Sequence, residues 1–465
     1  MNKIVQNTLI LFCTILFNVS TSLSQSPSNS LYFETHFGNN NKKPFWMKSN
    51  RWGEYDGDRV SLNFNYNSFK FNFLSLNGDI VKTGNGLQII EGNLSLGIKN
   101  FQLAFGKIKY SHGIADYELS SGSLIQSKNA EPIPKILLKN TSPFYFKIKN
   151  VNLLINAGLS HGLIEKGDYI AQPQLHEKWA NVKISKNNLS LHLGLVHNAI
   201  FGGGTNEFGL LPSSPADFIR VFFVQNGDKK APINETINSL GNHLGIWDLG
   251  LIVDSKKYFF TAYIQHPFED QSGSRWLLNW QDGLYGFTIE DKSDQLFINK
   301  INIEFLYTLN QSGSNEVSSD SYGWDDYYNH YIYLSGWTNK GRSIGTPFAV
   351  LGSNEARKHN HIENNRIKAF HIGVLGKLNS KISFKHLSSY STNYGNFFDE
   401  DRLNKLKFDS KYSPPLNQYS GMIELLINNF KKNKNISLGI LYAQDIGNLY
   451  SDNSSLEISI RYHIR

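Results

Sequence analysis

The sequence predicts an all-β protein, a transmembrane antiparallel β-barrel, and three observations support this prediction. Apolar residues recur at every second position along most of the chain, which is the period of a strand with one apolar face. After residue 25, no stretch approaches the roughly 18 consecutive apolar residues of a membrane-spanning helix. The final segment, 456–465, alternates up to the last residue, as the closing strand of an outer-membrane barrel does.

The N-terminus predicts an exported chain. An apolar run over residues 8–17 precedes small residues that are spaced like a signal-peptidase site. We therefore expect residues 1–24 to be a signal peptide, cleaved between Ser24 and Gln25. The single cysteine, Cys13, lies inside this segment, so we expect a mature chain without thiols or disulfides.

The strand pattern is plainest at residues 189–195, where every odd position is leucine and small or polar residues lie between. His192 falls on the polar face, so we expect it to make hydrogen bonds in the lumen. Comparable alternation begins at Val60, Leu94, Phe101, Trp247, Ile301 and Ile436. We count roughly sixteen to nineteen such windows of about ten residues, a length that crosses a bilayer at a tilt.

The faces of these windows favour a membrane barrel over a soluble sandwich. The alternate positions are mostly Asn, Ser, Lys and Gly, which suits a hydrated lumen behind a lipid-facing wall. Aromatic residues often lie at the ends of the windows, where we expect an interfacial girdle: Tyr110, Phe144, Tyr145, Trp179, Tyr258 and Tyr442.

Three parts follow the signal peptide in the predicted organisation. Residues 25–57 form an N-terminal lead-in segment, and residues 58–465 form the barrel. A connection of about fifty residues separates the windows at 189–195 and 247–253, too long for a simple barrel turn. We expect a small helical insertion there, at about 212–242.

The helix signals of this insertion are specific. Ser214, Pro215 and Asp217 form a capping box with proline at the first helical position. Apolar residues then recur at helical spacing over 218–223, and a second short helix is expected over 234–240. We expect this pair to bury its apolar side in the mouth of the barrel and so to close one end.

Six blocks of sequence resemble the capsule-assembly Wzi family. They are PFWMKSNRWG at 44–53, SSGSLIQSKNAEPIPK at 120–135, FGGG at 201–204, SLGNHLG at 239–245, PFEDQSGSRWLLNWQDGLYG at 267–286 and GWDDYYNHYIYLSGWTNKGRSIGTPF at 323–348. The resemblance implies an outer-membrane barrel of about 18 strands, with helices towards the periplasm and long loops outside. It also implies a lectin-like protein that helps attach or assemble capsular polysaccharide or exopolysaccharide on a Gram-negative cell surface.

Two concentrations of aromatic and polar residues are the candidate polysaccharide-binding site. Sugar rings pack on aromatic planes, and their hydroxyls bond to Asn, Asp and Arg side chains. The candidates are Trp276, Trp280, Asp282, Tyr285, Trp324, Asp325, Asp326, Tyr327, Tyr328, Asn329, Trp337 and Arg342. The competing interpretation is that these residues form the girdle and pack the lumen.

Other functions find little support. We find no nucleophile elbow, phosphate-binding loop or complete zinc motif, so we expect neither catalysis, nor a metal site, nor a cofactor. A hydrolase embedded in the barrel and a porin or solute channel are the alternatives, and the helical insertion counts against the channel. The net charge of +7 suits an acidic polymer, while no nucleic-acid-binding module accompanies it. We expect a monomer that contacts outer-membrane lipid and receives its polymer from export machinery.

Overall fold

The structure is a computed structural model. It describes residues 30–38, 43–54, 59–67, 74–83, 86–269, 279–293, 297–311, 325–352, 362–396, 412–430 and 435–464. The barrel strands are β1 (Ser30–Gly38), β2 (Arg59–Asn67), β3 (Leu74–Thr83), β4 (Gly86–Ile98), β5 (Phe101–Lys107), β6 (Pro134–Asn140 continued by Phe144–Ile148), β7 (Val151–Leu163), β8 (Gln174–Lys186), β9 (Leu189–Phe201), β10 (Asn242–Asp254), β11 (Tyr258–Phe268), β12 (Gly283–Asp291), β13 (Ile298–Tyr307), β14 (Ile367–Lys377), β15 (Ile382–Asn393), β16 (Leu416–Ile427), β17 (Ile436–Gly447) and β18 (Asn453–Ile464). The helices are α1 (Phe45–Lys48), α2 (Pro215–Phe222) and α3 (Ile233–Ile237).

The 18 strands form one closed antiparallel barrel, as the sequence predicts. Each strand pairs with its neighbours in the chain, and β1 pairs with β18 to close the sheet. Closure removes the free sheet edges, whose unpaired backbone groups would be costly in hydrocarbon. Among the described residues, no helix combines the length and apolarity needed to cross a membrane.

The barrel begins earlier in the chain than the sequence analysis predicts. Residues 30–38 fall within the expected lead-in segment 25–57, yet they form β1 and pair with both β2 and β18. The alternation of β1 is hard to recognise in the sequence, because only Leu31, Phe33 and Phe37 are large apolar residues on its outward face. A long loop then separates β1 from β2.

The alternation along each strand separates an outward face from the lumen. On β9, the four leucines of residues 189–195 are exposed on the outer wall. His192 points inward, with its Nε2 2.9 Å from Oδ2 of Asp248, which confirms the expected role in the lumen. The dyad pattern therefore reports the two faces correctly.

The aromatic residues at the strand ends divide between two environments. Tyr145 and Tyr258 lie near the short turns at one end of the barrel, and Tyr258 packs near Phe260, as expected of a girdle. Trp179 instead points into the lumen, where its ring centroid is 5.1 Å from that of Tyr110. These two residues pack the interior, because Trp179 alternates with outward-facing Ala180 on β8.

The two ends of the barrel differ. Short turns such as 99–100, 149–150 and 187–188 join strands at the end where β1 starts and β18 finishes. Most of the connections at the opposite end, which we call the mouth, are longer. Three loops at the mouth fold inward: L1 (43–54, which contains α1), L2 (108–133) and L3 (325–352). Their buried side chains form one core with the inner wall, including Trp46, Leu119, Ile125, Tyr327 and Trp337.

Polar side chains of the inner wall fasten the inward loops by direct hydrogen bonds. Glu304 of β13 accepts from the Ser120 hydroxyl at 2.6 Å and from the backbone N–H of Ser121 at 2.7 Å. It also accepts from the hydroxyl of Tyr263. Oε1 of Gln265 accepts from the backbone N–H of Leu124 at 3.0 Å. L2 is therefore fixed in the lumen by groups that satisfy its own backbone.

L1 is fastened by charge. Glu457 of β18 binds Nζ of Lys43 at 2.7 Å and Nη1 and Nη2 of Arg59 at 3.0 and 3.1 Å. Its Oε1, which accepts from Nη2 of Arg59, is also 2.9 Å from Nδ1 of His36. Because β1 and β18 meet at the closing seam, this buried ion network joins the seam to L1.

The helical insertion lies elsewhere than expected. Ser214 and Asp217 do form the predicted capping box at the start of α2. However, Phe218 packs on the rings of His161, His176 and Phe201, with centroids 5.6, 5.1 and 6.4 Å away. All three rings point outward. The helices therefore pack on the outer wall beside the mouth, not inside it. The sequence does not distinguish these two places, because an apolar helix side finds apolar partners on either face of this wall.

Candidate functional site

The structure buries most of the predicted sugar-binding residues within the loops of the mouth. Asp282, Asp325, Asp326, Tyr327, Tyr328, Asn329 and Trp337 are all buried. Trp276 and Trp324 lie outside the described residues. For six of these seven residues, all except Asp325, side-chain contacts show a structural role.

Asp282 anchors L3 at the start of β12. Its Oδ1 accepts from the backbone N–H of Asn310 at 3.0 Å, and its Oδ2 accepts from that of Gln311 at 2.6 Å. The hydroxyl of Tyr327 donates to the same Oδ2 at 2.8 Å. Burial raises the pKa of Asp282 to about 6, although these hydrogen bonds act in the opposite direction. The Asp282 carboxylate therefore holds the neighbouring loop segments together.

A second buried network is centred on Asp326. Its Oδ1 accepts from Nδ2 of Asn329 at 3.1 Å and from Nδ2 of Asn365 at 2.6 Å. Oδ1 of Asn329 in turn accepts from the backbone N–H of Ile362 at 2.9 Å. These amides and carboxylates connect L3 to the segment that leads into β14.

The buried aromatic residues join L3 to L2. The hydroxyl of Tyr328 donates to the carbonyl of Leu124 at 2.7 Å, and Nε1 of Trp337 donates to the carbonyl of Ile125 at 2.7 Å. Both rings belong to the core of the mouth. A sugar ring would have to displace the loops to reach these two side chains. Their burial therefore supports the competing interpretation, in which they pack the lumen.

The side chains of the three remaining candidates are at least partly accessible to solvent or lipid. Trp280 is 59% exposed, and the neighbouring Asn279 is buried and donates to the hydroxyl of Tyr327 at 2.9 Å. Tyr285 lies on the same outward face of β12 as Phe287, at a girdle position. Arg342 donates from Nη1 to the carbonyl of Lys48 at 2.8 Å. Among these three, Trp280 presents a large exposed aromatic surface, next to a residue whose side chain is hydrogen-bonded in the mouth.

A polar cluster on the same end was missed by the sequence analysis. Buried Glu131 binds Nζ of Lys107, Nζ of Lys340 at 3.2 Å and Nε2 of Gln88 at 2.9 Å. Lys340 and Gly341, both in the left-handed region, form the tip of a small hairpin that exposes the lysine. Burial of Glu131 raises its pKa, but the hydrogen bonds from Lys107 and Gln88 outweigh this effect, so the pKa is lowered. The cluster draws on four separate segments, so no local motif could reveal it.

A small recess with a volume of about 40 Å³ lies between L1, L2 and the inner wall. Its charged lining consists of Arg51, Glu118, Lys128, Lys385 and Glu424. Burial, followed by the charge of Lys385, lowers the pKa of Lys128 to about 8. Among the residues that the structure describes, no group of three or more His, Cys, Asp or Glu side chains is arranged to hold a metal ion.

Comparison with known proteins assigns the family. The model of the capsule assembly protein Wzi family matches residues 17–350. The chain belongs to the Wzi family. No curated protein sequence matches it. Family membership and the closed barrel place this Wzi-family protein in the outer membrane, as the sequence analysis predicts.

Solved structures share the barrel. One is described as Wzi, an outer-membrane protein involved in group 1 capsule assembly in Escherichia coli and a carbohydrate-binding β-barrel. It aligns over 96% of this chain and 86% of its own, with a TM-score of 0.56 and 12% identity. Pseudomonas aeruginosa OccK2 (OpdF) in complex with glucuronate aligns over 94% and 97%, with a TM-score of 0.48 and 8% identity. OccK5 (OpdH) of the same organism aligns over 94% and 97%, with a TM-score of 0.45 and 10% identity.

Proposed function

We propose that this Wzi-family barrel binds capsular polysaccharide or exopolysaccharide at its mouth and so helps to attach or assemble it on the cell surface. The observation that carries the proposal is the filled mouth, where L1, L2 and L3 share one core with the inner wall. A polymer would therefore rest on the rim of this barrel instead of passing through it. The inward loops weigh against the porin alternative for the same reason.

Trp280 is the proposed stacking surface. Its exposed ring can pack on the C–H face of a sugar, and the buried side chain of Asn279 holds the backbone beside it. Lys340 and Arg342 supply cationic donors at the mouth for hydroxyl or carboxylate groups of the polymer. We retain Trp276 and Trp324 as candidates, because both lie outside the described residues.

We further propose that the protein acts by binding and without catalysis. Asp282 and Asp326 accept hydrogen bonds from the loops themselves, so they serve packing and not acid–base chemistry on a bound sugar. In this arrangement, short turns face the periplasm and the mouth faces outward, as in bacterial barrels generally. A monomer embedded in outer-membrane lipid would receive its polymer from the export machinery.

The proposal is tested by measuring equilibrium binding of surface polysaccharide from the native host to purified protein. Trp280→Ala should weaken binding by about 2- to 13-fold, which corresponds to the roughly 0.5–1.5 kcal/mol of an aromatic contact. Tyr145→Ala is the matched control, since Tyr145 is similarly exposed, at 57%, near the opposite end of the barrel. Equal binding by the wild type and both variants would exclude Trp280 from the site.

A further inference from the structure

The insertion at 202–241 covers the upper end of the outer wall. On β9, Leu195 is the last outward residue that remains exposed. The next outward residues, His197, Ala199 and Phe201, are buried. The helices therefore begin where the exposed apolar band of β9 ends.

The underside of the insertion is fixed to this wall. Val221 and Leu240 form a core with Ala199 and Phe201 that is separate from the core of the mouth. Polar contacts add to it, since Nζ of Lys178 donates to the carbonyl of Phe222. The insertion is thus a packed element and not a loose loop.

The side of the insertion that faces away from the barrel wall is apolar as well. In α2 and just after it, Ile219 and Phe223 are 52% and 62% exposed. In α3, Ile233 and Ile237 are 75% and 70% exposed. Each pair is spaced four residues apart, so its members lie on the same side of the chain. An element that faced water on this side would lose nothing by carrying polar residues there.

We propose that residues 215–237 form an interfacial anchor whose exposed apolar pairs insert into the outer leaflet of the membrane. The surface continues the lipid-facing band that ends at Leu195, so the same lipid that covers the band reaches the helices. Amphipathic helices that lie at an interface place apolar residues in the acyl chains and cations near the phosphates. Lys229 and Lys230, both exposed in the turn between the helices, supply those cations.

Lipid fits this surface better than a second copy of the chain does. Leu210 and Val224 are exposed on the insertion as well, but even six large apolar side chains fall far short of the roughly 20–30 residues per side in a stable protein interface. The surface also adjoins a wall that the bilayer already covers. The anchor would hold the barrel at a fixed depth, with the mouth above the lipid.

The depth of single fluorophores in lipid vesicles tests this anchor. Cys13 is replaced by Ser, because it is the sole cysteine of the chain. Phe223→Cys and Ile237→Cys then carry an environment-sensitive dye. Leu191→Cys on the lipid-facing wall and Lys166→Cys in an exposed loop of the mouth are the lipid and water controls. The quencher is a lipid with a nitroxide on its acyl chain, and heat-modifiable migration on gels verifies that each variant is folded.

We expect dyes at 223 and 237 to be quenched, with blue-shifted emission, to an extent closer to that at 191 than to that at 166. Quenching no stronger than at 166 would overturn the anchor. Blue-shifted emission that is insensitive to the quencher and disappears as the protein is diluted in lipid would assign the surface to a second copy, and would overturn it too.

Discussion

At the scale of single residues, burial separates the aromatic side chains that support the mouth from those that remain exposed on its surface. Trp337 and Trp280 look alike in the sequence, each beside polar residues in a Wzi-like block. In the structure, Trp337 is fully buried, whereas Trp280 is largely exposed. The sequence could not make this distinction, because it depends on which loops fold inward.

The two tryptophans should therefore differ in their effect on stability. Trp337→Ala removes a buried ring and leaves the carbonyl of Ile125 without its donor, so it should lower the free energy of unfolding by about 3–5 kcal/mol. Trp280→Ala should change it by less than about 0.5 kcal/mol. Denaturant unfolding followed by fluorescence measures both, and a stable Trp337→Ala variant would contradict the packing described for L3.

Asp282 predicts a pH dependence of L3. Because burial raises its pKa to about 6, the folded loop binds a proton more tightly than the unfolded chain does. Its contribution to stability is therefore full below about pH 4 and falls as the pH rises to about 6, by at most about 3 kcal/mol. The measurement is the rate of proteolysis within residues 325–352 between pH 4 and 7. In Asp282→Asn, the rise in cleavage over this range should be smaller, whereas an unchanged rise would assign it to other groups.

At the scale of elements, strands are far easier to predict than the loops that join them. The leucines of residues 189–195 and the position of His192 were predicted correctly, because a period of two fixes the face of each residue. Strand β1 was missed because its pattern is short. The place of α2 was also missed, since an apolar helix side does not show whether its partner lies inside or outside the barrel.

The bond between Glu304 and L2 is the element-scale contact that we expect to matter most for closure of the lumen. Glu304→Ala would leave donors of Ser120, Ser121 and Tyr263 unpaired, at a cost of about 2–4 kcal/mol. We expect faster protease cleavage within residues 108–133 and a larger conductance in planar bilayers. Glu290→Ala is the control, because Glu290 is half-exposed and its ion pair with Lys300 contributes little. Equal effects of the two variants would contradict the role of Glu304 in holding L2 inside the lumen.

At the scale of the whole molecule, the proposed binding function rests on two features, the closed wall and the mouth filled by L1, L2 and L3. The strands, the closing segment and the Wzi resemblance were accessible from the sequence, and they define the outer-membrane barrel. The filling of the mouth was not, because it depends on contacts such as those of Glu457 with Lys43 and Arg59, which lie far apart in the chain. The binding surface depends in turn on that filling.

The most direct test of this account uses protein reconstituted in sealed vesicles and labelled polysaccharide from the native host. Binding and passage are measured together, as polymer retained on the vesicle surface and as short fragments of it that enter the interior. We predict saturable retention on the surface and no more entry than in protein-free vesicles. Entry that requires the protein, without saturable retention, would contradict it and would identify the barrel as a channel.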